Sequence, residues 1–196
     1  NFIKILTFLL IVFGPKLLLA ENDRDEKNKT PFINPTSLAE VLPSLEASHA
    51  NPKSIQLISG GRLSLKVKNY KEAERQWVEA LNDKALPQNV RKAILQALVK
   101  LYILLGDSGK EILLYEKYVE AFENDPSCPH ILFKLGNLYR EQGAVKLALK
   151  RYYDILQRAL TVSQAELKTY RVMITKVQIA IAETYFEMND LPKALE

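Results

Sequence analysis

Two histidines, His49 and His130, and a single cysteine, Cys128, are the residues best equipped for metal or nucleophilic chemistry in this chain. A protein metal site needs three or four His, Cys or carboxylate ligands at set spacing. Neither histidine has such neighbours, and His130, directly after Pro129, reads as a surface or capping residue at a helix start. Cys128 lies between Pro126 and Pro129 and reads as a half-buried loop thiol, since one cysteine cannot form an internal disulfide. The chain has no Walker-type phosphate loop, no Gly-x-Ser-x-Gly elbow and no His-Glu-x-x-His helix. The sequence therefore predicts no enzyme activity, no cofactor and no metal. Asn28-Lys29-Thr30 fits a glycosylation acceptor, a pattern too common to carry weight alone.

Composition is that of a globular chain, 47% apolar and 26% charged over 196 residues. The net charge of +4 is small, and loss of Lys4 and Lys16 with a leader would leave +2. No concentrated basic face stands out, so nucleic acid is not an expected partner. Residues 1–20 read as an export leader: Lys4 is basic, Ile5 to Phe13 is apolar, Gly14-Pro15 breaks the helix, and Leu18-Leu19-Ala20 offers a cleavage site. The alternative is an uncleaved membrane anchor, although the apolar run before Gly14 is far shorter than the roughly 20 residues a spanning helix needs. No cysteine follows Ala20 to take a lipid. Residues 21–53 read as a polar linker with Pro31, Pro35, Pro43 and Pro52 dispersed through it. Its mixed-sign run Asp23–Lys27 is a solvated tether. Ser37–Glu40 resembles a capping box cut short by Pro43. Asn1 in place of Met, and Glu196 inside a helical pattern, read as a fragment of a longer protein.

The elements that would position any site come next. Pro87, Pro126, Pro129 and Pro192 fall where helices should start or stop, and apolar residues recur at three- and four-residue spacing between them. No Asn-Gly or Asp-Gly turn separates alternating segments, so the expected fold class is all-α. Ser163-x-x-Glu166 suggests a helix start, with no breaker before Asn189-Asp190. Such a helix would be about 35–40 Å long. Leu98, Leu101, Leu105, Gly109, Leu114, Tyr118 and Ala121 precede Leu132, Leu135, Tyr139, Gly143, Ala148, Tyr152 and Ile155 by 34 residues each. Self-similarity at one fixed interval predicts stacked repeats.

These residues resemble the tetratricopeptide repeat family. Leu132, Leu135, Gly136 and Tyr139 match its first helix, and Ala148 and Tyr152 its second, with Leu160 where the terminal Pro would stand. The unit before it carries the same pattern and ends in Pro126, but places Tyr102 at the small position, so its helices should pack less closely. Gly61, Tyr70, Ala73, Trp77 and Ala80 match more loosely. Gly61 and Trp77 precede Tyr102 and Tyr118 by 41 residues, which implies about seven extra residues around Asn82–Val90. Ile181, Ala182, Tyr185 and Ala194 follow their counterparts by 46. The resemblance implies an α-α superhelix of stacked antiparallel hairpins over 54–196, with units near 54–87, 95–128, 129–162 and a truncated 175–196.

In this family the inner wall is lined by first-helix residues that do not take part in packing. The resemblance thereby nominates Arg62 and Lys66, Lys100 and Ile103, Phe133, Asn137 and Arg140, and Glu183 and Phe186 as partner-binding residues. Phe133 and Phe186 invite a peptide or helix, unless both belong to the core between repeats. Asn137 stands where peptide-binding members often place an amide. Only Lys100 and Arg140 approach the arrangement of a carboxylate clamp, so none is expected. The implied function is an exported, non-catalytic scaffold or adaptor, periplasmic or secreted, that holds a protein or peptide partner. Assembly of outer-membrane proteins, cell-wall machinery and secretion complexes are the envelope roles it suggests. The alternatives are the recognition arm of an enzyme whose catalytic domain follows Glu196, and a self-associating spacer. No small-molecule substrate is expected.

Overall fold

The computed structural model describes residues 51–162 and 167–189, all within the unit Asn34–Glu196. The leader, nearly all of the linker, Ser163–Glu166 and Asp190–Glu196 lie outside the described residues. Among the described residues seven helices follow in order: α1 Pro52–Lys66, α2 Tyr70–Ala80, α3 Gln88–Leu105, α4 Ser108–Ala121, α5 Cys128–Glu141, α6 Val145–Ala159 and α7 Leu167–Glu187. No strand occurs among the described residues. Each helix packs on the next in sequence, and α5 also touches α7.

Local chemistry sets the helix boundaries. Asn51 caps α1 through a bond from the Lys53 N–H to its side chain at 2.9 Å, with Pro52 at the first helical position where its missing N–H costs nothing. Asp107 caps α4 in the same way, accepting from the Lys110 N–H at 3.0 Å. Pro87 precedes α3 and Pro129 lies in the first turn of α5, as the proline distribution predicts. The residues expected to be an insertion around Asn82–Val90 instead lead into α3, whose Val90, Ala93, Ile94 and Leu95 are buried. Asp83 ties the loop before α3 to the start of α1, accepting from Ser54 Oγ at 2.7 Å and from the Asn51 N–H at 3.2 Å. The described part of α7 is 21 residues, about 31 Å at 1.5 Å per residue.

The turns mark the repeat, and they correct the interval of 34. Lys68, Gly106, Gly143 and Asn189 take φ of 60°, 68°, 73° and 58°, and are the only positive values among the described residues. The residues after the first three, Asn69, Asp107 and Ala144, each begin the following helix. Successive turns are therefore 38, 37 and 46 residues apart. The last interval agrees with the expected one. At 37, Tyr115 and Tyr118 fall on Tyr152 and Ile155, all fully buried. At 34, exposed Leu105 and Ala121 fall on half-buried Tyr139 and buried Ile155, and Gly109, inside α4, falls on a turn glycine.

Within the first and third hairpins a glycine faces an aromatic ring. A Cβ on Gly61 would lie 2.3 Å from Trp77 Nε1, and one on Gly136 would lie 2.2 Å from Tyr152 Cε1. Trp77 and Tyr152 are fully buried, and the indole N–H donates to the Ile58 carbonyl at 3.3 Å. Such rings press on a neighbouring helix backbone only where no side chain intervenes. In the middle hairpin the register places Val99, not Tyr102, at this position. There α3 and α4 pack less extensively than α1 with α2 or α5 with α6, as expected, but for this different reason.

Phenol–carboxylate contacts then tie each hairpin to the one before. Tyr102 on α3 donates to Glu74 on α2 at 2.9 Å, and Tyr139 on α5 donates to Glu116 on α4 at 2.8 Å. Arg151 on α6 clasps the same Glu116 with two bonds, at 3.0 and 2.6 Å.

Candidate functional site

The nominated residues fall on the first helix of each hairpin and on α7. The structure gathers four of them at the junction of α5, α6 and α7. Phe133 is half-buried, its ring centroid 5.9 Å from that of Tyr152, and packs against the core cluster of Leu132, Ala148, Ile155 and Val177. It is thus largely a core residue and not a free ring. Asn137 accepts the Tyr152 hydroxyl at 2.7 Å, so its carbonyl oxygen is engaged inside the protein. Its amide nitrogen makes no bond among the described residues. Arg140 reaches across from α5 to Glu183 on α7 at 2.7 Å.

The electrostatics of this junction follow from partial burial. Burial works against the Arg140 charge, but Glu183, with Tyr152 and Glu187 behind it, outweighs that and holds the guanidinium above its ordinary range. Burial pushes the Tyr152 phenol up to about 12, with Arg140 pulling the other way and Glu183, Glu187 and Glu141 adding to the rise. The phenol is therefore a neutral donor at physiological pH.

The other nominees stand apart from this cluster. Phe186 is 57% exposed one turn beyond Glu183. Lys100 is half-buried on α3 with no ion pair or hydrogen bond among the described residues, and burial lowers its pKa. Ile103 is exposed one turn further along α3. Arg62 on α1 is half-buried and unpaired among the described residues, and Lys66 is exposed near the end of that helix. In the turn register Arg62, Lys100, Asn137 and Glu183 each follow the residue in the small position (Gly61, Val99, Gly136 and Ala182). They form one equivalent row across four helices.

The chemically capable residues are engaged or neutral. Cys128 is the first residue of α5 and fully buried, not a half-buried loop thiol, and donates to the Phe122 carbonyl at 2.9 Å. Burial raises its pKa, which disfavours the nucleophilic thiolate. His130, half-buried in the first turn of α5, has its pKa lowered by burial and by Lys176. No group of three or more His, Cys, Asp or Glu residues is placed to hold a metal among the described residues.

One buried acid was not legible in the sequence. Glu111 on α4 is 8% exposed at the position that Ala73 and Ala148 hold in the flanking hairpins. Burial raises its pKa, while Lys134 of α5 and a hydrogen bond with Tyr115 counter that. Lys134 is in turn pushed down by burial. The interval of 34 set Leu114 against Ala148 and so hid the acid.

No protein-family profile matches the chain, and no curated protein matches it at a significant level.

Proposed function

We propose that this chain is a non-catalytic interaction scaffold of tetratricopeptide-like hairpins, which holds a peptide or helix of a protein partner along its row of first helices. The observation that carries this reading is the recurrence of one packing device. In the first and third hairpins a glycine on the first helix meets an aromatic one turn beyond a buried Ala on the second, and phenol–carboxylate ties link successive hairpins. Hairpins joined this way curve into a superhelix whose inner wall is made of first helices. On that wall Lys100, Ile103, the Asn137 amide nitrogen and Phe186 remain for a ligand, since Phe133 is committed to packing and Arg140 to Glu183.

The leader-like segment makes the scaffold an exported one, in the periplasm or outside the cell. No described helix is long and apolar enough to cross a membrane. Selection of peptides from a random library on the intact protein tests the groove. Affinity of a selected peptide should fall roughly tenfold for Phe186→Ala and Ile103→Ala, both at exposed positions that the core does not need. Equal affinity for parent and variants would refute this reading.

A further inference from the structure

The turn from α1 into α2 presents aliphatic and basic side chains in alternation. Leu63 is 63% exposed and Val67 74%, and Lys66, Lys68 and Lys71 are exposed beside them. Among the described residues none of the three lysines forms an ion pair or a side-chain hydrogen bond. The whole of α1 contains no acid. The next acid along the chain, Glu72, is held by Arg75 and Gln76.

Lys68 adds an independent observation. Its φ of 60° is left-handed, a conformation that L side chains resist, and the three sister turns use Gly106, Gly143 and Asn189. A strained lysine with no internal partner, next to a valine that projects into solvent, is poor chemistry for a turn and good chemistry for a contact.

We propose that the α1–α2 turn docks on an anionic phospholipid surface. Val67 and Leu63 enter the headgroup region, and Lys66, Lys68 and Lys71 sit over lipid phosphates. Exposed aliphatics flanked by cations are what an interfacial site requires. An oligonucleotide would gain nothing from Leu63 and Val67, and an acidic peptide would leave both exposed aliphatics in water. The surface lies at the C-terminal end of α1, past Arg62; it shares Lys66 with the nominated first-helix residues but does not depend on their function.

The test uses the full chain with vesicles of phosphatidylcholine alone or mixed equally with phosphatidylglycerol. Val67→Trp reports contact at the turn, while native Trp77 is fully buried and supplies a constant background. The emission of Val67→Trp should shift to the blue and be quenched by brominated phosphatidylglycerol. Leu160→Trp, at a site 87% exposed after α6, should stay unquenched. In the Val67→Trp background, Lys68→Gly relieves the backbone strain yet removes a charge, so it should raise the unfolding midpoint and weaken partitioning about fivefold. A residue serving only the fold would not separate these two readouts. An unquenched Val67→Trp, equal quenching at both reporters, or unchanged partitioning of the Lys68→Gly variant would overturn the proposal. Retention on polyglutamate or on an oligonucleotide without quenching at position 67 would assign the lysines to those ligands and overturn it as well.

Discussion

Gly136→Ala adds one carbon where α5 meets α6. The new Cβ would stand 2.2 Å from Tyr152 Cε1, 2.6 Å from Cδ1 and 2.8 Å from Cζ. Carbon atoms rest about 3.5–4.0 Å apart, so ring or helix must yield by more than about 1 Å. The ring has little room, because Tyr152 is fully buried and its hydroxyl is bonded to Asn137 at 2.7 Å. Overpacking costs about 1–3 kcal/mol, and a contact this short belongs at the upper end. Alanine's better helix propensity returns about 1 kcal/mol. The expected net loss is about 2 kcal/mol. Urea unfolding of the full chain, followed by far-ultraviolet circular dichroism, should show a lower midpoint at an unchanged slope. In a Tyr152→Leu background the same substitution should cost much less, giving a coupling of about 1–2 kcal/mol between the two sites. A midpoint equal to the parent's, or an equal cost in both backgrounds, would refute the close-approach argument.

Two further outcomes follow from the same geometry. Gly109→Ala is the opposite case. Its Cβ meets only Asp107 Oδ1, at 3.7 Å, in the first turn of α4, so helix propensity should stabilise the chain by up to about 1 kcal/mol in the same urea titration. Asp125, bonded to Lys92 Nζ at 2.5 Å and to the Ser127 N–H at 2.9 Å, has its pKa lowered below the ordinary 3.8; burial acts against the shift and these partners outweigh it. A depressed carboxyl stabilises fully above its unfolded pKa and loses that contribution as pH falls through the folded value. Asp125→Asn should therefore cost about 1–2 kcal/mol at neutral pH and flatten the acid limb of thermal stability below about pH 4. An acid limb as steep as the parent's would contradict this.

Helix content and boundaries were readable because prolines, caps and apolar spacing act within a turn or two of themselves. Gly136, Tyr152 and Trp77 were readable as packing residues because volume is a local property. The sequence interval of 34 departs from the turn spacing for a physical reason. Leu95, Leu98, Leu101 and Leu105 recur almost every turn along α3, so displacing the alignment by three residues leaves a nearly equivalent helix face on itself. Only Gly106, whose backbone turns left-handed, and the exposure of Leu105 and Ala121 break that degeneracy, and each is a fact of three dimensions. The candidate row was readable as a set of positions but not as a set of roles. Nothing local announces that Asn137 accepts a core hydroxyl, or that Arg140 spans to a helix 43 residues on.

The middle hairpin has neither the glycine nor the alanine of its neighbours at the crossing, carrying Val99 and Glu111 instead. Of the three hairpins it packs least extensively. Local opening within a hairpin should therefore begin between α3 and α4, and leave the Trp77 and Tyr152 contacts in place.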